Sequence, residues 1–165
     1  MPSLVIRPAA LDDSAAILAV LNDARQRLAF RKIAQWEQPF EISFINSALQ
    51  RSEFFIATLD QHVAGVFRLL WSDPEIWGDT TDSAFVHTLA VHREFIGQGL
   101  GYRFLNWCET SAARQGRLYL RLDCASSNAA LRNYYMRYGF VPRGEKTFKS
   151  FHVALLEKTL RPTLP

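Results

Sequence analysis

Residues 83–116 constrain the fold most, because an apolar run, a glycine-rich turn and a helical pattern follow one another there without interruption. The run SAFVHTLAV contains two valines and a threonine and predicts a buried strand. After the turn, four apolar residues fall on one helical face: Leu100, Phe104, Leu105 and Cys108. Gly116 follows as a helix stop signal, so this part of the chain predicts a strand that leads directly into a helix.

The rest of the chain also alternates between strand and helix patterns. Seven segments predict strands, in chain order SLVIRP, EFFIATL, VAGVFRLLW, SAFVHTLAV, RLYLRLDC, GFVPRGEK and SFHVALLEKTL. The second and third are separated by DQH and predict a hairpin. The segments around ILAVLNDARQRLA, EISFINSALQ and SNAALRNYYMRY predict helices, the last capped by Ser126 or Ser127 and ended by Gly139. SDPEIWGDTTD predicts a polar loop. The predicted order is β-α-α-β-β-β-α-β-α-β-β, in one mixed α/β domain over residues 1–165.

Composition limits the class of ligand. The chain has 165 residues and a formal net charge of +3, with nineteen basic residues interspersed among sixteen acidic ones. This mild excess suits a small anionic ligand and, without a basic block, weighs against a nucleic-acid partner. Cys108 and Cys124 have neither metal-ligand nor disulfide-framework spacing, so we expect no metal site. With no signal-peptide pattern and no apolar run near the ~20 residues of a membrane span, we expect a cytoplasmic protein without a membrane partner.

The turn HREFIGQGLG carries glycine at three alternate positions, Gly97, Gly99 and Gly101. A glycine-rich turn at the start of a helix exposes free amide N–H groups, which favour an anion such as a phosphate or pyrophosphate. The alternative is a flexible turn with one glycine for close helix packing. The phosphate-loop motif of nucleoside triphosphatases is absent, and the dinucleotide-binding spacing also fails, because the third glycine would have to fall at Tyr102 or Phe104.

The segment LAVHREFIGQGLG resembles the acetyl-CoA-binding core of the GNAT family of N-acetyltransferases. In that family the segment ends as [Q/R]-x-x-G-x-[G/A]. Gly99 and Gly101 match the last two positions, whereas Ile96 stands where the family usually has Gln or Arg. This departure puts one phosphate contact in doubt and leaves the amide cradle intact.

A second, independent segment, NAALRNYYMRYGF, resembles the later helix of the same family. Its pattern is N-x-x-A-x-x-x-Y-x-x-x-G-F, and the matching residues are Asn128, Tyr135, Gly139 and Phe140. Leu131 stands at the alanine position. Together the two motifs and the element order cover roughly residues 53–158. The resemblance implies a mostly antiparallel mixed sheet of about seven strands, flanked by about four helices.

The resemblance also implies acetyl-CoA as the co-substrate. Its pyrophosphate is expected on the amides of the turn, at Gly97, Gln98, Gly99, Gly101 and Tyr102. Its pantetheine arm is expected along the strand before the turn, around Leu89, Ala90 and Val91, and Asn128 completes the predicted cofactor-binding set. The strands SAFVHTLAV and RLYLRLDC are expected to splay apart and leave a gap for the acetyl group, and a backbone N–H near Leu89 or Ala90 would stabilise the oxyanion.

Two groups are expected to move protons. Tyr135 matches the family's usual acid and would protonate the departing thiolate; the alternative is a packed tyrosine on an amphipathic helix. Many relatives carry a carboxylate where this chain has Phe85, so the predicted base is His87, two residues on and on the same face of the strand. A structural histidine is the alternative, in which case a water chain would lead to a nearby carboxylate: Glu75, Asp79, Asp82 or Asp123.

The acceptor side has weaker signals. Trp36 and Glu37 lie in the segment that relatives use for substrate selection, and Asp79 and Asp123 are acids before and after the predicted acetyl site. The sequence thus predicts an N-acetyltransferase that acts by direct transfer on a primary amine of a small molecule or peptide, with the small molecule preferred. A non-catalytic acyl-CoA-binding regulatory module is the alternative, and Cys124 as an acyl-carrying thiol is the less favoured route. A homodimer through the final strands is a further expectation.

Overall fold

The computed structural model describes residues 3–161, and they form one seven-stranded sheet with helices on both faces. The strands are β1 (Leu4–Pro8), β2 (Phe54–Leu59), β3 (His62–Leu70), β4 (Ser83–Val91), β5 (Tyr119–Ala125), β6 (Val141–Phe148) and β7 (Phe151–Thr159). Their order in the sheet is β1-β2-β3-β4-β5-β7-β6. Only the β4–β5 pair is parallel, so the prediction of a mostly antiparallel mixed sheet of about seven strands is confirmed.

The helices follow the predicted order, with one addition. They are α1 (Ser14–Phe30), α2 (Ile42–Gln50), α3 (Pro74–Trp77), α4 (Leu100–Arg114) and α5 (Ala129–Tyr138). The short α3 lies in the segment predicted as a polar loop, and proline at its first position favours a helix start there. The predicted caps of α5 are wrong: the side chain of Asn128, not Ser126 or Ser127, accepts from the amide of Leu131 at 3.1 Å.

The two faces of the sheet bury separate apolar clusters. On one face α4 and α5 pack against the central strands through residues that include Phe104, Leu105, Cys108, Leu120, Leu122, Tyr135 and Phe140. On the other face α1 and α2 cover β2 and β3 through residues that include Ile17, Leu21, Ile45, Ile56 and Val66. Burial of a sheet on both faces explains why its central strands are apolar along nearly their whole length.

A bulge in β4 bends the strand away from β5. Arg68 of β3 is opposite His87, but Val66 is opposite Ala90, so β4 holds one extra residue between these pairs. Thr88 lies in that interval with φ at 54°, a left-handed conformation that a β-branched residue rarely adopts. Pairing of β4 with β5 stops at Phe85 and Arg121, and the remainder of each strand diverges, as the sequence predicted.

The edges of the sheet bear on assembly. β7 lies between β5 and β6 and is paired on both sides, so its own edge is not free to join a second subunit. β6 is the outer strand at that end. No helix within residues 3–161 combines the length and the apolar character needed to cross a bilayer.

Candidate active site

The turn between β4 and α4 presents a row of unpaired amides. Within residues 3–161, the backbone N–H groups of residues 97–102 have no backbone or side-chain acceptor, and the first such bond in α4 runs from Arg103 to Gly99 at 3.3 Å. Gly97 and Gly99 have φ values of 80° and 73°, and the space where their Cβ atoms would lie is open. Consecutive free amides at a helix N-terminus form a site for an anion, so the residues present fit a pyrophosphate.

Gly101 serves a different purpose from the other two glycines. It is buried in the first turn of α4, and the phenol of Tyr134 from α5 covers it, so any side chain at this position would overlap with the ring. The alternative reading of the turn, in which one glycine allows close helix packing, is therefore correct for Gly101. Ile96 stands where the family usually has Gln or Arg. Its side chain is 50% exposed and has no polar group that could bind a phosphate.

The edge of β4 that faces the gap is partly occupied by α1. Arg27 donates a hydrogen bond of 3.1 Å to the carbonyl of Val91 and also pairs with Asp23. Asp23 binds Arg93, at the start of the turn, as well. Burial opposes ionisation of Asp23, but the hydrogen bonds and positive charges of Arg93 and Arg27 hold its pKa below the ordinary value. Through these contacts α1 is joined to β4 just before the amide row.

Tyr135 is buried in the second half of the segment that matches the later family helix, close to Asp123 and Cys124 of β5. Burial raises its pKa above the ordinary value of a phenol, and the nearby Cys124 raises it further. The group thus stays protonated throughout the physiological pH range, as a proton donor must. Burial also raises the pKa of the Cys124 thiol, to about 11, which leaves little thiolate to carry an acyl group.

His87 clusters with two carboxylates from different elements, Asp73 and Asp123. Its Nε2 is 2.8 Å from Oδ2 of Asp73, in the loop before α3, and its Nδ1 is 3.9 Å from Oδ1 of Asp123 on β5. Burial raises the pKa of Asp123, and Asp73 raises it further, whereas His87 lowers it. Phe85 is fully buried in the core and contributes no polar atom.

A cavity of about 620 Å³ opens beside the divergent end of β5. Residues from the α1–α2 loop, α3, the end of β5 and the β6–β7 hairpin line it, and they include Trp36, Glu37, Ile76, Asp123, Ser126, Glu145, Phe148 and Phe151. Three of the four residues predicted on the acceptor side, Trp36, Glu37 and Asp123, are thereby brought together. The fourth, Asp79, is exposed and does not line this cavity.

Two residues of the site escaped the sequence reasoning. Asp73 was one of several acids in a loop, and nothing in the spacing shows that it turns inward to His87, fourteen positions away. Gln35 was also missed: its Oε1 accepts from the amide of Ala125 at 3.1 Å and fastens the α1–α2 loop across the end of β5. Trp36 follows with φ at 56°, in the left-handed region.

Comparisons with known proteins agree with this geometry. The sequence pattern described as the acetyltransferase (GNAT) family matches residues 17–140. A Bacillus subtilis (strain 168) protein named uncharacterized N-acetyltransferase YesJ is 34% identical over 143 residues, which cover 81% of this chain and 79% of that protein.

Solved structures show the same fold. A GNAT-family acetyltransferase from Listeria monocytogenes 4b F2365 has a TM-score of 0.81 at 24% identity, with 95% of each chain covered. The putative acetyltransferase yncA from Salmonella typhimurium, solved with acetyl-CoA, has a TM-score of 0.69 at 18% identity and covers 99% of this chain and 97% of its own. Acetyl-CoA is the co-substrate of the family, and the free amides of residues 97–102 suit its pyrophosphate. The chain belongs to the GNAT family of N-acetyltransferases.

Proposed function

We propose that this enzyme transfers the acetyl group of acetyl-CoA to a primary amine of a small molecule, by direct attack in a ternary complex. The observation that carries the proposal is the divergence of β4 and β5 after Phe85 and Arg121. The row of free amides follows β4, and the cavity of about 620 Å³ reaches Asp123 and Ala125 on β5. A donor held on one strand and an acceptor held beside the other can meet in the gap between them.

On the donor side, the amides of residues 97–102 hold the pyrophosphate and the strand edge from Leu89 to Val91 receives the pantetheine arm. A backbone N–H near Leu89 or Ala90 polarises the thioester carbonyl and stabilises the tetrahedral oxyanion. Asn128 remains in the proposed cofactor-binding set, although its Oδ1 is already engaged as the cap of α5.

On the acceptor side, the cavity is large enough for a small molecule and is enclosed partly by Trp36, Phe148 and Phe151. The ammonium group gives up one proton before it attacks, and His87 is the proposed acceptor of that proton. Attack on the thioester carbon and cleavage of the carbon–sulfur bond leave a thiolate. Tyr135 protonates the thiolate and regains a proton from the nitrogen of the new amide, so that one proton is released overall.

Direct transfer is favoured over an acyl-enzyme because the Cys124 thiol is buried and its pKa is raised. The alternative, a CoA-binding module without catalysis, is favoured by Ile96 and Phe85, neither of which supplies the polar group found in many relatives. We place the enzyme in the cytoplasm because its two cysteines are free and have no disulfide framework. A dimer would have to use a surface other than the edge of β7.

The test measures thiol release from acetyl-CoA in the presence of aliphatic monoamines, diamines, arylalkyl amines and a lysine peptide. We expect at least one small amine to release thiol, and Tyr135→Phe to lower kcat by about 10²-fold or more. Tyr138→Phe, on the same helix, is the matched control and should retain the parental rate. If acetyl-CoA binds and no amine releases thiol, the binding-module alternative is correct; an unchanged rate in Tyr135→Phe removes that residue from the mechanism.

A further inference from the structure

The two carboxylates beside His87 have a consequence for how the acceptor loses its proton. We propose that Asp73, His87 and Asp123 form one proton-accepting unit, in which Asp123 binds the ammonium group of the acceptor, His87 takes up its proton and Asp73 fixes the imidazole ring. The inference rests on the proposed function, because it assigns the acceptor's position within that site. Asp123 is the residue in contact with the substrate, and Asp73 is a positioning residue.

The contact with Asp73 fixes which ring nitrogen carries hydrogen. A carboxylate can only accept a hydrogen bond, so the 2.8 Å contact between Oδ2 of Asp73 and Nε2 of His87 requires hydrogen on Nε2. In the neutral ring the lone pair is then on Nδ1. That nitrogen is 3.9 Å from Oδ1 of Asp123, which is too long for a direct hydrogen bond. The basic nitrogen of the ring is therefore not hydrogen-bonded to either carboxylate and can accept a proton.

The three side chains lie close enough together to act as one unit. One oxygen of Asp73, one oxygen of Asp123 and one ring nitrogen of His87 all lie within 4.8 Å of one another. The shortest contacts of the two carboxylates are with different ring nitrogens, Nε2 for Asp73 and Nδ1 for Asp123. The 2.8 Å contact at Nε2 is a hydrogen bond that fixes the ring, whereas the 3.9 Å separation at Nδ1 leaves that nitrogen open to a proton from a third group.

Asp123 is the member of the unit that meets the acceptor. It lines the cavity, whereas His87 and Asp73 do not. Its side chain is 13% exposed, and its Oδ1 is buried without a hydrogen-bond partner within residues 3–161. A buried carboxylate oxygen without a partner is costly, and an ammonium group supplies both the charge and the donor that it lacks. An ammonium nitrogen bound at Oδ1 can also reach Nδ1, because these two atoms are 3.9 Å apart.

Other charged groups near the ring are already paired. Across the sheet, Arg68 of β3 is opposite His87, and its guanidinium binds Glu53 at 2.5 Å. Tyr135 lies near Asp123 and stays protonated because burial raises its pKa. Asp73 and Asp123 are thus the two carboxylates that act directly on the ring. In the transfer, the N–H bond of the ammonium breaks, hydrogen binds to Nδ1, and the resulting imidazolium is balanced by Asp73.

The first test reads the ring directly and needs no substrate. In the ¹⁵N NMR spectrum of the full-length protein labelled at histidine, we expect the His87 ring to carry hydrogen on Nε2; the spectrum of His87→Gln assigns the signal. Asp73→Ala removes the group that accepts from Nε2, so the ring should lose its preference for hydrogen on Nε2. Asp12→Asn, which removes one exposed negative charge, should leave the preference unchanged. A parental ring with hydrogen on Nδ1, or one unaffected by Asp73→Ala, would overturn the proposal.

The second test uses an active amine from the thiol-release panel. We expect Asp123→Asn to lower kcat/KM about 10²-fold or more and to raise KM for the amine. Asp73→Ala should lower kcat, leave KM for the amine near its parental value and shift the acidic limb of the pH profile, while Asp12→Asn should change none of these. Full activity in Asp123→Asn overturns its role. If no amine reacts, the proposed function and the acceptor-binding step fail together, whereas the NMR result still decides the role of Asp73.

Discussion

The phenol of Tyr134 covers Gly101, so α5 rests on the first turn of α4 at a point where no side chain fits. The hydroxyl of Tyr102 donates to the carbonyl of Tyr134 at 3.1 Å and reinforces the same contact. The helix with the proposed acid is thereby fixed to the helix whose N-terminus carries the free amides. One glycine of the turn thus joins the two motifs, and the other two shape the amide row.

Gly101→Ala should lower the free energy of unfolding by about 1–3 kcal/mol, because the added methyl group forces the phenol of Tyr134 out of place. Chemical denaturation measures the loss. In the background of Tyr134→Phe, which removes the overlapping hydroxyl, the same substitution should cost less, so the two changes should be non-additive. Additive effects would show that the ring does not depend on the glycine.

Gly99→Ala should also destabilise the protein, by about 1–2 kcal/mol, for a different reason: alanine is strained at a φ of 73°. There is open space around this position, so Tyr134→Phe should give no relief. Gly99→Asn should cost less, because asparagine tolerates the left-handed conformation better. Equal losses for alanine and asparagine in thermal or chemical unfolding would contradict the strain explanation.

Thr88→Gly should stabilise the fold by up to about 1 kcal/mol, because it relieves a β-branched residue from a φ of 54°. Val5→Gly, a β-branched residue in the regularly paired β1, is the control and should lose about 0.5–1 kcal/mol. Denaturation of the three proteins side by side measures the difference. If both glycine variants lose stability equally, the bulge stores no strain.

Asp123→Asn should increase stability at about pH 7 and not at about pH 4. Burial raises the pKa of Asp123, so the folded state binds its proton more tightly than the unfolded state does. This contribution to stability is present below the pKa that Asp123 has in the unfolded state. It is lost as the pH rises through the pKa of the folded state, because the parent protein must then bury a charged carboxylate. Thermal unfolding against pH, with Asp12→Asn as control, measures it. A variant less stable than the parent at neutral pH would contradict the prediction.

Cys124 should resist alkylation in the native protein near pH 8, because its pKa of about 11 leaves it as the thiol and its side chain is buried. Mass spectrometry after iodoacetamide treatment should show no addition to the native chain and two additions to the unfolded one. Cys124→Ala should retain thiol release with an active amine. Complete loss in that variant, with folding intact, would revive the acyl-enzyme route.

Sequence patterns predicted the strands, the long helices and the glycine turn because these features depend on local periodicity and on glycine. The hairpin was recognisable because two apolar strand patterns flank a short polar turn. In the structure Asp60 and Gln61 form that turn, and both have positive φ. The acceptor site was less accessible to sequence reasoning. Asp79 and Asp73 occupy the same polar loop, and only the turn of the chain at α3 decides that Asp73 points inward while Asp79 remains exposed.

The contact between Arg27 and the carbonyl of Val91 bears on the energetics of donor binding. The strand edge proposed for pantetheine already has one donor, a charged one, before any ligand arrives. An amide N–H of the pantetheine arm that binds the Val91 carbonyl must either displace the Arg27 guanidinium or use the second lone pair of the oxygen. The net gain in binding free energy is then only the difference between the two hydrogen-bonded states. In the proposed placement of the donor, tight binding would then come mainly from the diphosphate end, where the six amides of residues 97–102 have no partner within residues 3–161.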